Sequence, residues 1–178
     1  MFNTSITQTL TEKQRFIALR AFLLKVTGGS EVRQTQQNRV AMPTGSFITM
    51  TPLDIGVLST NNYTYSNQNS TPGKEIMSHT SQWRVQLDCY GEGAGDMANI
   101  ISTVFRSEWA CEAFGVTGYM VRPVYSTDPR QTYYIDGESQ YGERWTIDVT
   151  MLFEDGVGVD MYFFDSATIT PTIANTIK

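Results

Sequence analysis

The sequence contains few of the residues that catalysis and metal binding use most often. It has one histidine, His79, and two cysteines, Cys89 and Cys111, among 178 residues. Two cysteines about twenty residues apart and one histidine outside that interval match no metal-ligand spacing, so we expect no metal site. No nucleophile lies near a base and an orienting carboxylate in the sequence, so we expect no catalytic residues. We interpret His79 as a solvated histidine in a polar loop.

Long apolar runs and an excess of positive charge are also missing. No run of about 18 apolar residues occurs, which argues against a membrane span. The first residues, MFNTSITQTLTEKQ, lack a basic region followed by an apolar core, so we expect no secretory signal and interpret both cysteines as buried free thiols. The net charge of −5 argues against a nucleic-acid-binding surface, although it does not exclude a partner past which DNA merely moves.

The residues that are present fit one globular domain, since 40% of the chain is hydrophobic. Thr9 to Glu12 have capping-box spacing and open a predicted amphipathic helix over residues 11–27. A second helix is predicted over residues 94–107, and residues 109–114 are interpreted as a further turn of it. The sequence therefore predicts two helices that pack on a sheet.

Strands are indicated by alternation of apolar and polar residues. Residues 82–90 and 144–153 each begin with tryptophan and alternate strictly, so they are predicted to be antiparallel neighbours with one buried face. Residues 47–65 are interpreted as two strands broken at Pro52. A further strand is predicted over 118–126, where Pro123 indicates an edge position or a bulge.

Two segments lack a clear pattern, and each leaves two interpretations open. Residues 61–81 form either a long polar loop or a hairpin arm. Residues 156–178 are rich in Thr and Ile and are either disordered or an extended arm that pairs with another subunit. We therefore predict an α+β fold with a mostly antiparallel sheet and two flanking helices over residues 1–155, followed by a C-terminal arm or flexible tail over 156–178.

A glycine-rich stretch, CYGEGAGD at 89–96, lies between a predicted strand and a predicted helix. This is where many proteins bind nucleotide phosphate. A phosphate loop needs Lys and then Ser or Thr after its last glycine, but Asp96 and Met97 occupy those positions. Asp96 also replaces the third glycine of the dinucleotide fingerprint, and with Glu92 it places two carboxylates where a phosphate would lie. We therefore expect no cofactor and interpret the stretch as a tight turn, with Asp96 capping the helix or lying in its first turn.

Aromatic and basic residues are concentrated between residues 125 and 144. Tyr and Arg contribute much of the binding energy at protein interfaces, whereas the alternative interpretation is ordinary cross-strand packing in a hairpin. The candidate interface residues are Tyr125, Arg130, Tyr133, Tyr134, Tyr141 and Arg144.

Three segments together resemble a family of tailed-phage and prophage proteins, the neck or tail terminator proteins. The segments are 38–53, which contains MTPL, 82–111, which contains the strand-to-helix junction, and 122–153, which contains RPVYSTDPRQ and YGERW. This chain has Pro123-Val124-Tyr125 where the family usually has proline-leucine-tyrosine. The residues that match the family pattern in the last two segments are Gln86, Asp88, Tyr90, Gly91, Ala94, Asp96, Arg122 to Arg130, Glu138, Gln140, Tyr141, Arg144 and Trp145.

The resemblance implies a structural protein without catalytic residues. It implies a ring, typically hexameric, at the head-proximal end of the tail tube, where it stops tube polymerisation and presents a surface to connector proteins. The implied partners are copies of the chain itself, the tail tube protein and neck or connector proteins, while DNA passes through the lumen without specific binding. The implied location is the virion, after assembly in the host cytoplasm. Two alternatives remain: a head-completion or connector protein of related fold, and a small phage-encoded nucleotide-binding enzyme.

Overall fold

The computed structural model describes residues 6–37, 43–66, 73–135 and 141–161. Within these ranges the chain forms three helices and ten strands. In chain order they are β1 (Ile6–Gln8), α1 (Glu12–Val26), β2 (Glu31–Gln34), β3 (Phe47–Val57), β4 (Asn62–Ser66), β5 (Gly73–Tyr90), α2 (Ala94–Phe105), α3 (Glu108–Gly115), β6 (Val121–Ser126), β7 (Arg130–Gln131), β8 (Tyr134–Ile135), β9 (Tyr141–Gly142) and β10 (Arg144–Met161).

The capping box of α1 lies two residues later than predicted. Thr11 is the N-cap: its hydroxyl accepts from the Gln14 backbone N–H at 3.3 Å, and its own N–H donates to Gln14 Oε1 at 2.8 Å. The prediction of a box at Thr9 to Glu12 is wrong because Thr9 belongs to the sheet edge. Its backbone N–H donates to the Gly156 carbonyl oxygen at 2.8 Å.

The second predicted helix is interrupted after Phe105. Ser107 has an extended backbone and becomes the N-cap of α3, and its N–H bonds back to the Val104 carbonyl at 3.0 Å. The segment interpreted as a further turn is therefore a separate helix, and the sheet has three flanking helices rather than two. The predicted α+β class of mostly antiparallel sheet and flanking helices is confirmed.

The sheet is built around β5 and β10, which pair antiparallel over all 18 residues of each strand. β3 and β4 pair with the other side of β5, while β7, β6 and β1 pair with the other side of β10. β2 adds to β3 in parallel and ends the sheet, and β8 and β9 form a small separate hairpin. The predicted pairing of the two Trp-led strands is confirmed, since Trp83 lies opposite Met151 and Trp145 opposite Cys89.

Two prolines are accommodated by bulges. β3 runs through Pro52 with a register shift between Pro52 and Asp54, so the predicted break at Pro52 is wrong. One extra residue in the strand absorbs the irregularity without ending the pairing. The edge or bulge predicted at Pro123 is confirmed: β6 lies on the open side of β10, and the register shifts opposite it between Thr150 and Met151.

The core lies on one face of the sheet, which we call the inner face. It carries Trp83, Val85, Leu87 and Cys89 of β5, and their β10 neighbours Ile147 to Phe153 alternate in the same way. The helices pack on this face through a continuous set of apolar side chains. These include Phe16, Leu19, Phe22, Leu23, Ala98, Ile101, Phe105, Ala110 and Phe114.

Half of the β5–β10 ladder extends beyond this core. We call this part the arm: residues 6–8, 62–66, 73–80 and 154–161. No hydrophobic side chain described in the arm is buried. Of the two interpretations of residues 61–81, the hairpin arm is therefore correct for the part that is described. Residues 156–161 of the predicted C-terminal arm are the end of β10, and 162–178 lie outside the described residues, so that arm stays a prediction.

Candidate assembly interface

The glycine-rich stretch forms a tight turn that packs against a neighbouring turn. Gly91 has φ of +91°, and a Cβ there would lie 2.9 Å from Ser46 Cα. The Ser46 hydroxyl donates to the Glu92 carbonyl at 3.0 Å. Gly93, with φ of +75°, is the N-cap of α2, and Asp96 lies in the first turn of the helix. Sterics and helix capping thus account for both glycines and for Asp96.

Four of the residues that carried the family resemblance, Gln86, Asp88, Tyr90 and Arg144, lie together around one buried carboxylate. Asp88 is 3% exposed although it lies on the outer face of the sheet, opposite the helices. It accepts from the Thr146 hydroxyl at 2.6 Å, from Arg144 Nη2 at 3.0 Å and from Gln86 Nε2 at 3.0 Å. The Arg144 guanidinium also lies 5.7 Å from the centre of the Tyr90 ring. These sequence markers are therefore held within the subunit, where charge-assisted hydrogen bonds fix the outer face.

Two further Arg–Asp pairs lie on the same outer face. Arg130 pairs with Asp148 at 3.2 Å, and Arg84 pairs with Asp54. The hydrogen bond from Arg84 lowers the pKa of the Asp54 carboxyl below its usual range. The outer face of the body is thus polar and internally paired.

The six candidate interface residues differ in their surroundings. Tyr125 is half exposed and lies beneath the Arg106 guanidinium, 5.0 Å from ring centre to Cζ, while Tyr133 is 81% exposed. Arg130 and Arg144 are both engaged within the subunit, in the pairs described above. Tyr134 and Tyr141 belong to β8 and β9, and their side chains lie outside the description. The assignment of all six residues to an interface stays a prediction.

The arm carries an apolar strip that the sequence reading missed. Its side chains share the inner face with the core, no described helix lies over them, and the register places Glu75, His79 and Asp155 on the same face beside them. Opposite one another lie Tyr63 and Met77, Met77 and Val157, and Val159 and Ile6. Its exposed large members in the arm are Ile6 (72%), Tyr63 (52%) and Tyr65 (57%), and Ile55 (50%) and Val57 (63%) of β3 continue the same face beside the arm. The alternation in NYTYS, with Tyr63 and Tyr65 on one face, is the sequence signal that indicates this strand.

Two buried polar groups lie where the core meets the arm. The Arg15 side chain is sandwiched against aromatic rings, with Cζ 4.4 Å from the Phe153 centroid and 5.3 Å from the Trp83 centroid. Its Nε and Nη1 have no hydrogen-bond partner among the described residues, and neither has the buried Ser81 hydroxyl. Burial lowers the pKa of Arg15 below its usual value. The charges of Asp155 and Glu12 act in the opposite direction and favour the charged guanidinium.

The cysteines and the histidine differ in part from expectation. Both cysteines are free, but only Cys89 is buried. Cys111 is exposed because the buried stripe of α3 runs through Ala110, Ala113 and Phe114 and passes it by. His79 is half-buried in β5 opposite Asp155, so its interpretation as a loop histidine is wrong. Among the described residues, no three His, Cys, Asp or Glu side chains come together as a metal site.

Comparison with known proteins identifies the family. A family model for phage neck terminator proteins matches residues 14–176, nearly the whole chain. No curated protein sequence matches the chain. Within the described ranges no helix is both long and apolar enough to cross a membrane. The resemblance inferred from the sequence is confirmed: the chain belongs to the phage neck terminator protein family and has a structural role in the phage neck.

Proposed function

We propose that copies of this chain close into a hexameric ring at the head-proximal end of the tail tube. The ring stops tube polymerisation and joins the tail to the connector proteins of the neck. It is a structural function, and no catalytic step is assigned to any residue. The observation that carries the proposal is the arm: a four-stranded extension of the sheet with an apolar strip that none of the described residues covers.

The strip is suited to contact with a second subunit. Exposed apolar patches on a soluble protein mark interaction sites, and Tyr side chains concentrate binding energy there. A ring needs contacts between two different patches of the same chain, repeated until the rotation closes. An arm that extends beyond its own core provides one such patch at a distance from the rest of the surface.

The test compares a double variant in the strip with a matched control. Tyr63→Ser combined with Tyr65→Ser removes two half-exposed rings, whereas Val116→Ser removes an 84% exposed apolar side chain outside the arm. We expect the double variant to weaken ring assembly at least tenfold, about 1.4 kcal/mol or more, with an unchanged melting temperature. Light scattering gives the mass, and negative-stain microscopy shows the rings.

Tube termination requires its own measurement. Purified tail tube protein is allowed to polymerise with and without the chain, and tube lengths are measured by electron microscopy. We expect short tubes capped at one end. Tubes of unchanged length, together with binding to isolated connector rings, would replace the terminator role with that of a connector protein.

A further inference from the structure

We infer that residues 166–177 of one subunit add as a β-strand to the outer edge of β2 in a neighbouring subunit. In this arrangement Ile169, Ile173 and Ile177 enter the cleft between that edge and α1. The inference deepens the proposed ring by naming one of its contacts. It rests on three observations: an open edge, an apolar cleft beside it, and a segment whose pattern and reach fit both.

The edge is the outer side of β2. This strand pairs in parallel with β3 and ends the sheet, and no described strand lies beyond it. The Thr35 backbone N–H donates to the Met50 carbonyl, whereas the Val32 carbonyl points outward and accepts from Arg20 Nε at 3.2 Å. Open edges of this kind accept an extended segment through main-chain hydrogen bonds.

The cleft lies between this edge and α1 and has a volume of about 470 Å³. Its floor is apolar: Phe16, Val32 and Met50 are buried there, and Ile17 is 43% exposed at its side. An added strand would place its inner-face side chains beside α1, over this floor. The polar rim consists of Glu12, Lys13, Arg20, Arg33, Gln34 and Gln37.

The pattern of the C-terminal segment fits this site. Read as a strand, SATITPTIANTI places Ile169, Ile173 and Ile177 on one face. The opposite face carries Thr168, Thr170, Thr172 and Thr176. The isoleucines match the apolar inner face, and the threonines match the outer face of the body, where Thr49 and Thr51 already lie. The stretch has no charged residue to desolvate.

Pro171 fixes the direction of the added strand. It shares the isoleucine face, so it lies on the inner face as Val32 does. Val32 is an inner-face residue whose backbone N–H and C=O point away from β3. In a strand added parallel to β2, the inner-face residues would point their backbone N–H and C=O away from β2 in the same way. The missing N–H of Pro171 then falls on the solvent side and costs no hydrogen bond. An antiparallel strand would lose one, so the geometry points to parallel addition.

The reach of the chain favours a neighbour over the same subunit. β10 ends at Met161, opposite Gly73 at the tip of the arm, whereas β2 lies level with Leu87 to Tyr90 of β5. The separation along β5 is about 14 residues, or roughly 46 Å at about 3.3 Å per residue. Ile169 follows Met161 by about eight residues and reaches at most about 29 Å.

Cross-linking between two differently sized chains tests the inference. Both chains carry Cys111→Ser to remove the exposed thiol, and Cys89 is buried. One carries Ile17→Cys, and the other, enlarged by a tag, carries Ile173→Cys. After mixing and treatment with a short bismaleimide, we expect a covalent heterodimer at least tenfold above that of a control mixture in which Val116→Cys replaces Ile17→Cys.

The outcomes separate this inference from the ring itself. Rings seen by microscopy without the heterodimer overturn the strand addition and leave the proposed function standing. A heterodimer without rings supports the strand contact and contradicts ring closure. A cross-link that forms only when both cysteines are in one chain shows docking within the subunit and overturns the inference. As a second measurement, Ile173→Asp should weaken assembly at least tenfold more than Thr172→Asp on the opposite face.

Discussion

Asp88 shows how one residue can be both a family marker and a structural necessity. Its carboxylate is buried on the face of the sheet opposite the three described helices, and Arg144, Thr146 and Gln86 all donate to it. Removal of the donors would leave a buried charge without partners and destabilise the fold. Removal of the carboxylate would likewise leave its donors without a buried acceptor. The sequence reading assigned Arg144 to a candidate interface because a sequence does not show which partner occupies a guanidinium.

Asp88→Ala is expected to lower the free energy of unfolding by about 2–3 kcal/mol, because Arg144 and Thr146 lose a buried acceptor. Asp128→Ala is the matched control: it also removes an acid from an Arg pair, but that side chain is 89% exposed. Urea denaturation measures both variants. Equal, small changes would show that the Asp88 network does not hold the sheet.

The two thiols are expected to differ in reactivity. Burial raises the pKa of Cys89 to about 12, so almost no thiolate is present at pH 8. Cys111 is exposed. A thiol-specific colorimetric reagent should therefore titrate one thiol per native chain and two in denaturant. Rapid reaction of two thiols in the native protein would contradict the burial of Cys89.

At the scale of elements, the strand-to-helix junction depends on two glycines for different reasons. Gly91→Ala forces a Cβ to within 2.9 Å of Ser46 Cα at a positive φ, whereas Gly93 has a positive φ but open space around it. We expect Gly91→Ala to cost about 2–3 kcal/mol and Gly93→Ala about 1 kcal/mol. Thermal unfolding measures both losses of stability. Equal losses would show that the positive φ alone, and not the contact with Ser46, determines the cost of each substitution.

Elements with a strong repeat were predictable, and those set by partners far along the chain were not. The alternation from Trp83 to Cys89 and from Trp145 to Phe153 gave the central strand pair, because one face of each is buried against helices. The first half of β5 lacks that alternation because no core lies over it. It is a strand because β10 pairs with it. The two strands are dozens of residues apart in the sequence, so the local residue pattern does not reveal their pairing.

The same limit explains what was missed at the candidate interface. Composition drew attention to the tyrosines and arginines between residues 125 and 144. The apolar strip instead combines Ile6, Tyr63 and Val159 from three distant segments. Only the pairing of β1, β10, β5 and β4 places them on one face. A surface of this kind can be recognised only when the strand pairing is known, and not from the sequence alone.

For the whole molecule, the charge balance has a consequence for the proposed ring. Each subunit carries a net charge of −5, and three arginines of the outer face, Arg84, Arg130 and Arg144, are paired with aspartates. We expect assembled rings to retain little double-stranded DNA at physiological salt, since like charges repel. A filter-retention assay measures this. Tight, salt-sensitive retention would show that the lumen binds DNA.

The continuous ladder of β5 and β10 also determines how a subunit responds to force. The two strands run from the body to the arm tip without a register shift. No hinge separates the part that holds the core from the part proposed to hold a neighbour. A pull along the strands loads many cross-strand hydrogen bonds in shear, so they must fail together rather than unzip one at a time. A subunit built in this way resists axial tension through its backbone, independently of the strength of any single side-chain contact.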